Sequence, residues 1–145
     1  MSEDNKALVR HWFEKSDRLG RMPDELFAPG FVAHIAGSPD MDASAFQQYS
    51  ATFYNAFSDF SHTFEDMLAE GDRVAFRATS RATHTKDFAG IPATGTQIEV
   101  GQIGIVRVAD GLMAEVWNST DRLGMMQQLG ALPAPPAAAG RPSSS

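Results

Sequence analysis

The stretch from Gly71 to Thr120 decides the fold, and it reads GDRVAFRATSRATHTKDFAGIPATGTQIEVGQIGIVRVADGLMAEVWNST. Apolar and polar residues alternate along most of it, a period of two that is typical of half-buried strands. Glu70-Gly71-Asp72 and Ala109-Asp110-Gly111 are tight connections of the hairpin kind. Strands joined in this way run antiparallel. The predicted strands, including one before this stretch, are 62–69, 73–83, 97–108 and 112–120.

Helices precede this run of strands. A first helix follows the capping side chains of Ser2–Asn5, and its apolar side chains fall on one face. A short second helix is predicted over 22–27, a strand over 31–35 and a third helix over 43–57. This order of elements predicts an α+β fold, with helices packed on one face of a strongly curved sheet.

An aromatic stripe runs along the third predicted helix. Phe46, Tyr49, Phe53 and Phe57 are spaced three, four and four residues apart. Such a stripe most often packs in a core. Facing a curved sheet, it can also wall an apolar pocket, so Phe53 and Phe57 are predicted walls of a binding pocket.

The composition is that of one ordinary globular domain. The chain has 145 residues, of which 43% are hydrophobic and 21% charged, and these values are typical of globular proteins. Residues 1–130 are predicted to form the domain. Residues 131–145 are rich in Pro, Ala and Ser and are predicted to be a disordered tail, because they cannot bury enough apolar surface to offset the entropy of ordering. A formal net charge of −6, with Lys and Arg scattered, argues against a nucleic-acid partner.

The sequence predicts a cytoplasmic protein without a membrane partner. It contains no cysteine, which excludes disulfides and thiolate chemistry and fits a reducing compartment. The first ten residues, MSEDNKALVR, lack the basic and apolar regions of a signal peptide. No apolar run approaches the roughly 18 residues of a membrane span.

Motifs for metal and cofactor chemistry are missing from the sequence. No two histidines are spaced three or four apart on a helix, and there is no HExxH. The loop GIPATGTQ at 90–97 has glycines at P-loop spacing, but Thr96 and Gln97 stand where Lys and Ser or Thr belong. No metal and no cofactor are therefore predicted, which leaves acid–base chemistry at side chains, or binding alone.

Asp121 stands where the last strand gives way to a helix. An apolar cavity raises the pKa of a carboxylate by desolvation and so makes it a stronger base. Trp117 could supply that apolar wall and a face for stacking. If the strand continues, Trp117, Ser119 and Asp121 share one face. Asp121 could instead cap the helix through the amides of Leu123 or Gly124, and the two roles can coexist.

The stretch 71–130 resembles the SnoaL-like polyketide cyclases, also called ester cyclases. The upstream segments agree, namely NKALVRHWFE at 5–14, DELFAPGFVAH at 24–34 and FEDMLAEGDRV at 64–74. The resemblance implies the cone-shaped α+β barrel shared with nuclear transport factor two, in which a curved antiparallel sheet wraps around helices and leaves an apolar pocket. It also implies a homodimer.

The resemblance also implies a reaction. The family's founding members close the last ring of an anthracycline precursor by intramolecular aldol condensation, without metal or cofactor. Their proposed acid/base is an aspartate in the segment that here reads EVWNSTD at 115–121, so the resemblance places that role on Asp121. Gly104 stands where cyclases of the family often carry histidine or aspartate. Facing the cavity, it would leave a roomier pocket and deprive Asp121 of a second hydrogen-bonding partner.

Other side chains are weaker candidates for binding a substrate. An inward Arg77 would orient a carbonyl and stabilise an enolate, whereas an outward Arg77 would be a solvated charge. His34, His62 and His84 lie near strand ends, and each could be a partner acid. The predicted substrate-binding residues are Trp117, Asn118, Gln102, Arg77, His34, Phe53 and Phe57.

The leading prediction is a cofactor-independent cyclase that closes a ring in a flat, mostly apolar, aromatic or polyketide-like molecule. A ketosteroid-isomerase-like enzyme would need the same base and an oxyanion hole that the sequence does not locate. An epoxide hydrolase of this fold would need two carboxylates around an arginine, and Thr79 beside Arg77 is not one. The alternative is a non-catalytic binding domain of the same fold, which would leave Asp121 exposed and merely capping.

Overall fold

A computed structural model describes residues 2–133 of the chain. The helices are α1 (Ser2–Leu19), α2 (Ala43–Ala56) and α3 (Arg122–Gln128), and the strands are β1 (Phe27–Ile35), β2 (Phe57–Glu70), β3 (Arg73–His84), β4 (Gln97–Ala109) and β5 (Leu112–Thr120). A 3-10 turn at Asp24–Leu26 leads into β1. Most of the predicted tail, residues 134–145, lies outside the described residues.

The five strands form one mixed sheet in the order β1-β5-β4-β3-β2. Strands β2 to β5 are an antiparallel meander, as the sequence predicts. The first strand departs from the antiparallel sheet that the resemblance implies, because β1 lies beside β5 and runs parallel to it. A parallel pair needs a long connection between its strands, and here α2 and the first three strands of the meander supply it.

Several boundaries differ from the sequence prediction. Helix α1 already includes Ser2–Asn5, which were expected to precede it, and β1 begins at Phe27 rather than at residue 31. The predicted short helix at 22–27 is only a 3-10 turn, and Phe27 already belongs to β1. Strand β2 begins at Phe57 rather than at residue 62. The register with β3 shifts between Ser58 and Ser61, where Asp59 has a φ of 56°. The first residues of β2 therefore do not show the alternation of apolar and polar residues by which a strand is predicted.

Alternation along β3 separates the two faces of the sheet. Val74, Phe76 and Ala78 are buried on the inner face, and the intervening residues point outward. The inner face packs against the apolar side of α1, where Val9 and Trp12 are buried, and against the start of α2. The helices and the inner face of the sheet therefore share one core.

Gly104 of β4 lies directly opposite Phe76 of β3. A Cβ at residue 104 would come within 2.7 Å of Phe76 Cζ and 2.6 Å of the Trp117 carbonyl oxygen. The Phe76 ring also makes edge contacts with Phe13 of α1 at 5.4 Å and Phe64 of β2 at 5.8 Å between centroids. Because residue 104 has no side chain, the Phe76 ring can lie against the β4 backbone, and from there it contacts α1 and β2.

No helix among residues 2–133 is both long enough and apolar enough to cross a membrane.

We expect Gly104→Ala to lower the free energy of unfolding by about 1–3 kcal/mol, because the added methyl group must displace the Phe76 ring or the β5 backbone. Gly101→Ala is the matched control in the same strand. Nothing lies within 4 Å of its Cβ position, so its stability should stay within about 0.5 kcal/mol of the wild type. Urea unfolding measures both variants. Equal stability of the two would show that the ring is not held against Gly104.

Candidate active site

A cavity of about 140 Å³ lies between the helices and the inner face of the sheet. Aromatic side chains line it from α1, α2, β2 and β3, among them Phe13, Phe46, Tyr49, Phe53 and Phe60. A concave and mostly apolar pocket with a few polar groups is the usual form of a small-molecule site.

Two residues of the predicted aromatic stripe, Phe53 and Phe57, lie in different places. Phe53 lines the cavity, where the sequence places it. Phe57 instead packs in a second core cluster, with its ring centroid 5.3 Å from that of Phe88. Because α2 ends at Ala56, Phe57 no longer follows helical spacing. The structure therefore puts Phe57 outside the cavity that it was predicted to wall.

Gly104 faces the interior but adds no room to the cavity. The Phe76 ring occupies the position that a side chain at residue 104 would take, and Phe76 itself lines the cavity. The expectation of a roomier pocket is wrong, because an aromatic neighbour fills the space beside the glycine.

A group of polar side chains lines the cavity from β4 and β5, namely Gln102, Asn118 and Thr120. Gln102 lies opposite Thr120 in the β4–β5 register. Asn118 Nδ2 donates to Thr120 Oγ1 at 3.2 Å, and Asn118 Oδ1 is buried without a hydrogen-bond partner among the described residues. The structure thus brings together two of the predicted binding residues, Gln102 and Asn118. The side-chain oxygen of Asn118 remains free to accept a hydrogen bond.

Asp121 is exposed and lies one residue beyond Thr120, the last residue of β5. Its Oδ1 accepts a hydrogen bond from the Gly124 amide at 2.8 Å, which makes it the N-cap of α3. Its own amide donates to the Gly101 carbonyl at 3.0 Å. A Cβ at residue 124 would collide with the capping carboxylate. The capping role is therefore present, and Asp121 is not among the side chains that line the cavity.

Three predicted binding residues lie on the outer face of the sheet. Because Asn118 points into the cavity, Trp117 points away from it, and its ring stacks on His34 at 5.2 Å between centroids. Arg77 follows the buried Phe76 and so also points outward, where its Nε donates to Asp66 Oδ2 at 2.8 Å. Trp117, His34 and Arg77 cannot contact a ligand inside the cavity from these positions.

His34 belongs to a cluster of charged groups on this outer face. Its Nε2 lies 2.6 Å from Glu115 Oε2 and its Nδ1 lies 2.9 Å from Asp40 Oδ1. Hydrogen bonds to Glu115 and then Asp40 raise the pKa of His34 above 6.5. The hydrogen bond from His34 lowers the pKa of Glu115 below 4.5, and Arg107 at 3.2 Å adds to this effect.

A second polar cluster reaches the cavity from α1, α2 and β2. Asp17 Oδ1 accepts from the Tyr54 hydroxyl at 2.8 Å, and Asp17 Oδ2 lies 2.8 Å from His62 Nδ1. Tyr54 and His62 line the cavity. Burial, and then the Asp17 carboxylate, raise the pKa of Tyr54 far above 10.0, so its phenol stays protonated. The sequence indicated only His62, because Asp17 and Tyr54 lie on two helices and share no spacing with it.

Metal ligands are not assembled in this part of the chain: residues 2–133 contain no group of three or more His, Cys, Asp or Glu side chains arranged to hold an ion.

The fold and its cavity belong to a known family. The family model of SnoaL-like polyketide cyclases matches residues 7–129. The chain therefore belongs to the SnoaL-like polyketide cyclase family, which confirms the predicted family and the α+β fold. A comparison with curated protein sequences finds no significant match.

Solved structures with the same fold include enzymes of several activities. AclR from Streptomyces galilaeus, a proposed hydroxylase, is 25% identical, with a TM-score of 0.85 over 94% of this chain and 87% of AclR. IdmH from Streptomyces antibioticus, a proposed polyketide cyclase, is 31% identical, with a TM-score of 0.72 over 88% of this chain and 97% of IdmH. An LEH-like epoxide hydrolase from M. tuberculosis is 12% identical, with a TM-score of 0.68 over 90% of this chain and 92% of its own, and shows the fold alone. Family and neighbours support a polyketide cyclase or a related enzyme of this fold.

We expect the stabilising effect of His34 to depend on pH in a fixed direction. Its raised pKa gives stability that is complete below about pH 6.5 and is lost as the pH rises through the raised value. The lowered pKa of Glu115 gives stability that is present above about pH 4.5 and is lost as the pH falls through the lowered value. The loss of stability in His34→Gln should therefore be largest between these limits.

Urea unfolding of the wild type and His34→Gln at several pH values from about 3 to 9 measures this effect. His11→Gln, which changes an exposed histidine of α1, is the control. A difference between wild type and His34→Gln that stays constant across the range would contradict the ion-pair assignment.

Proposed function

We propose that this protein is a cytoplasmic, cofactor-independent polyketide cyclase that closes a ring in a flat, mostly apolar molecule by intramolecular aldol condensation. The observation that carries the proposal is the cavity, which has aromatic walls and the polar side chains of Gln102, Asn118 and Thr120, the residue that precedes Asp121. Aromatic or polyketide-like molecules suit such walls, because flat rings stack on aromatic faces or pack against their edges.

The free acceptor on Asn118 supports binding of a polar substrate atom at this wall. A buried polar atom without a partner costs about 1–3 kcal/mol, and a substrate that reached Asn118 Oδ1 with a hydroxyl would relieve that cost. Gln102 lies on the adjacent strand, and its side-chain amide can donate to a carbonyl oxygen. The β4–β5 wall can thus orient both a hydroxyl and a carbonyl.

Asp121 keeps one oxygen available for chemistry in this proposal. Its Oδ1 caps α3, while Oδ2 has no hydrogen-bond partner among the described residues. A substrate that extended past Thr120 would cover the carboxylate and exclude water from it. Desolvation disfavours the charged carboxylate and makes it a stronger base.

The proposed reaction proceeds in two steps. Asp121 removes a proton from a carbon next to a carbonyl, and the Gln102 amide stabilises the oxygen of the resulting enolate. The enolate carbon then attacks a second carbonyl carbon of the same molecule, a carbon–carbon bond forms, and the new alkoxide takes up the proton. No electrons leave the substrate, so the sum of the steps needs no oxidant.

We expect the protein to catalyse exchange of the hydrogens next to the carbonyl of 1-tetralone, a flat bicyclic ketone, for deuterium in D₂O. Asp121→Asn should slow that exchange by about 100-fold or more, because it removes the base. It should leave stability nearly unchanged, since asparagine caps helices as well as aspartate does. NMR measures the exchange, and Asp121→Ala, which should lose about 1 kcal/mol of stability, controls for the cap.

The outcomes separate the candidate functions. Wild-type protein that binds 1-tetralone without accelerating exchange would favour a non-catalytic binding domain, a function with which the exposed, capping position of Asp121 also agrees. Exchange that persists in Asp121→Asn would assign the base to another residue.

We further propose that the protein is a homodimer formed by the outer face of the sheet. Ile103 is 61% exposed there and borders a groove that also contains Trp117. Arginines and carboxylates alternate on the same face, as in the pairs Arg77–Asp66 and Arg81–Glu99. A face that carries both signs of charge around apolar side chains can pair with a copy of itself across a two-fold axis.

We expect sedimentation velocity to show a dimer for the wild type and a monomer for Ile103→Glu, because the substitution buries an unpaired carboxylate in the proposed interface. Leu123→Glu is the matched control, since Leu123 is 60% exposed but lies on α3. A wild-type monomer, or a dimer that Ile103→Glu leaves intact, would contradict this interface.

A further inference from the structure

The cluster at the α1–β2 wall has an unused side that faces the cavity. It consists of the consecutive α1 residues Ser16 and Asp17, with Tyr54 of α2 and His62 of β2, and is called the hydroxyl subsite below. Strand β2 is an edge strand at the far end of the sheet from β5. The subsite therefore lies on a different wall from Gln102 and Asn118.

The hydrogen bonds of His62 fix which of its nitrogens is free. Asp17 is a carboxylate that can only accept, so His62 Nδ1, at 2.8 Å from Asp17 Oδ2, carries the hydrogen. In the neutral imidazole the lone pair is then on Nε2. No described residue donates a hydrogen bond to that nitrogen, and His62 lines the cavity.

Asp17 and Tyr54 hold the imidazole in place. Tyr54 donates to the same carboxylate at 2.8 Å, and the side chains of Asp17 and His62 are each only 11% exposed. The rings of Phe13 and Phe60 pack on the imidazole, with centroids 5.0 and 6.2 Å from it. The ring is thus clamped on one edge by hydrogen bonds and between apolar surfaces.

Ser16 provides an independent sign of a missing partner. Ser16 is 2% exposed, and its Oγ is buried without a hydrogen-bond partner among the described residues. Ser16 also lines the cavity. Buried hydroxyls are nearly always paired, so the unpaired Oγ points to a polar ligand atom at this wall.

We propose that the hydroxyl subsite binds a hydroxyl group of an aromatic ligand, which donates its hydrogen to His62 Nε2 and accepts one from Ser16 Oγ. Asp17 and Tyr54 are positioning residues that act through the imidazole. The inference rests on the proposed function in one respect, namely that the cavity holds a flat small molecule. It narrows the substrate class to molecules with a phenol-like hydroxyl at one end and a carbonyl at the other.

A pair of probes of similar shape tests the subsite in the wild-type protein. 1-Naphthol carries the hydroxyl, and 1-methylnaphthalene replaces it with a methyl group. Calorimetry should show 1-naphthol binding about tenfold more tightly or better, because the hydroxyl pairs with the buried Ser16 Oγ and with His62 Nε2. A purely apolar cavity would give the opposite preference, since the methyl group is the more hydrophobic.

Substitutions locate the preference at the subsite. His62→Phe keeps a flat ring and should remove the preference for 1-naphthol, whereas His11→Phe on the exposed side of α1 should retain it. In ¹⁵N spectra of the wild type, the His62 Nε2 resonance should move with 1-naphthol only. Asp17→Asn should mix the two tautomers of His62, an effect that a merely structural role of Asp17 would not produce.

The results distinguish this inference from the function on which it rests. Equal binding of both probes with an unchanged Nε2 resonance would overturn the hydroxyl subsite and leave the cyclase proposal standing. Binding of neither probe would overturn both. The wild-type comparison and its ¹⁵N signal decide the matter even if a substitution at residue 62 prevents folding.

Discussion

The contact between the Phe76 ring and the bare backbone of Gly104 is the constraint on which the rest of the structure depends. It joins β3 to β4, and through Phe13 and Phe64 it joins both to α1 and β2. Protein interiors are densely packed. The position of the Phe76 ring therefore determines which residues of the neighbouring strands face inward. The size of the cavity follows, because the ring is part of its wall.

The direction of each side chain in β5 is a consequence of that arrangement. A strand that places Asn118 inward must place Trp117 outward, and a shift of one residue would exchange them. The sequence predicts the strands and their antiparallel pairing, because alternation and turn residues are local signals. It did not predict which face of β5 is inner, because both faces carry apolar residues, and the bulky Trp117 appeared the better wall for a pocket.

The two candidate sites differ in how far the sequence could reveal them. Asp121 and its capping partner Gly124 are three residues apart, so a local pattern was enough to predict the cap. Asp17 and His62 are 45 residues apart, and their contact exists only because α1 lies across β2. A pattern within one segment cannot report such a contact, and no motif marks it.

The chemistry of the cavity is best understood from the separation of its polar groups. One set, on β4 and β5, offers side-chain amides and the free acceptor of Asn118. The other offers the buried, unpaired Oγ of Ser16 and the Nε2 of His62, to which no described residue donates a hydrogen bond. Aromatic side chains also line the cavity. A ligand that satisfies both sets must be rigid and flat, with polar atoms at its two ends, since an apolar ligand would leave buried groups unpaired and a small polar one would span only a single wall. This requirement selects against simple lipids and against single-ring compounds.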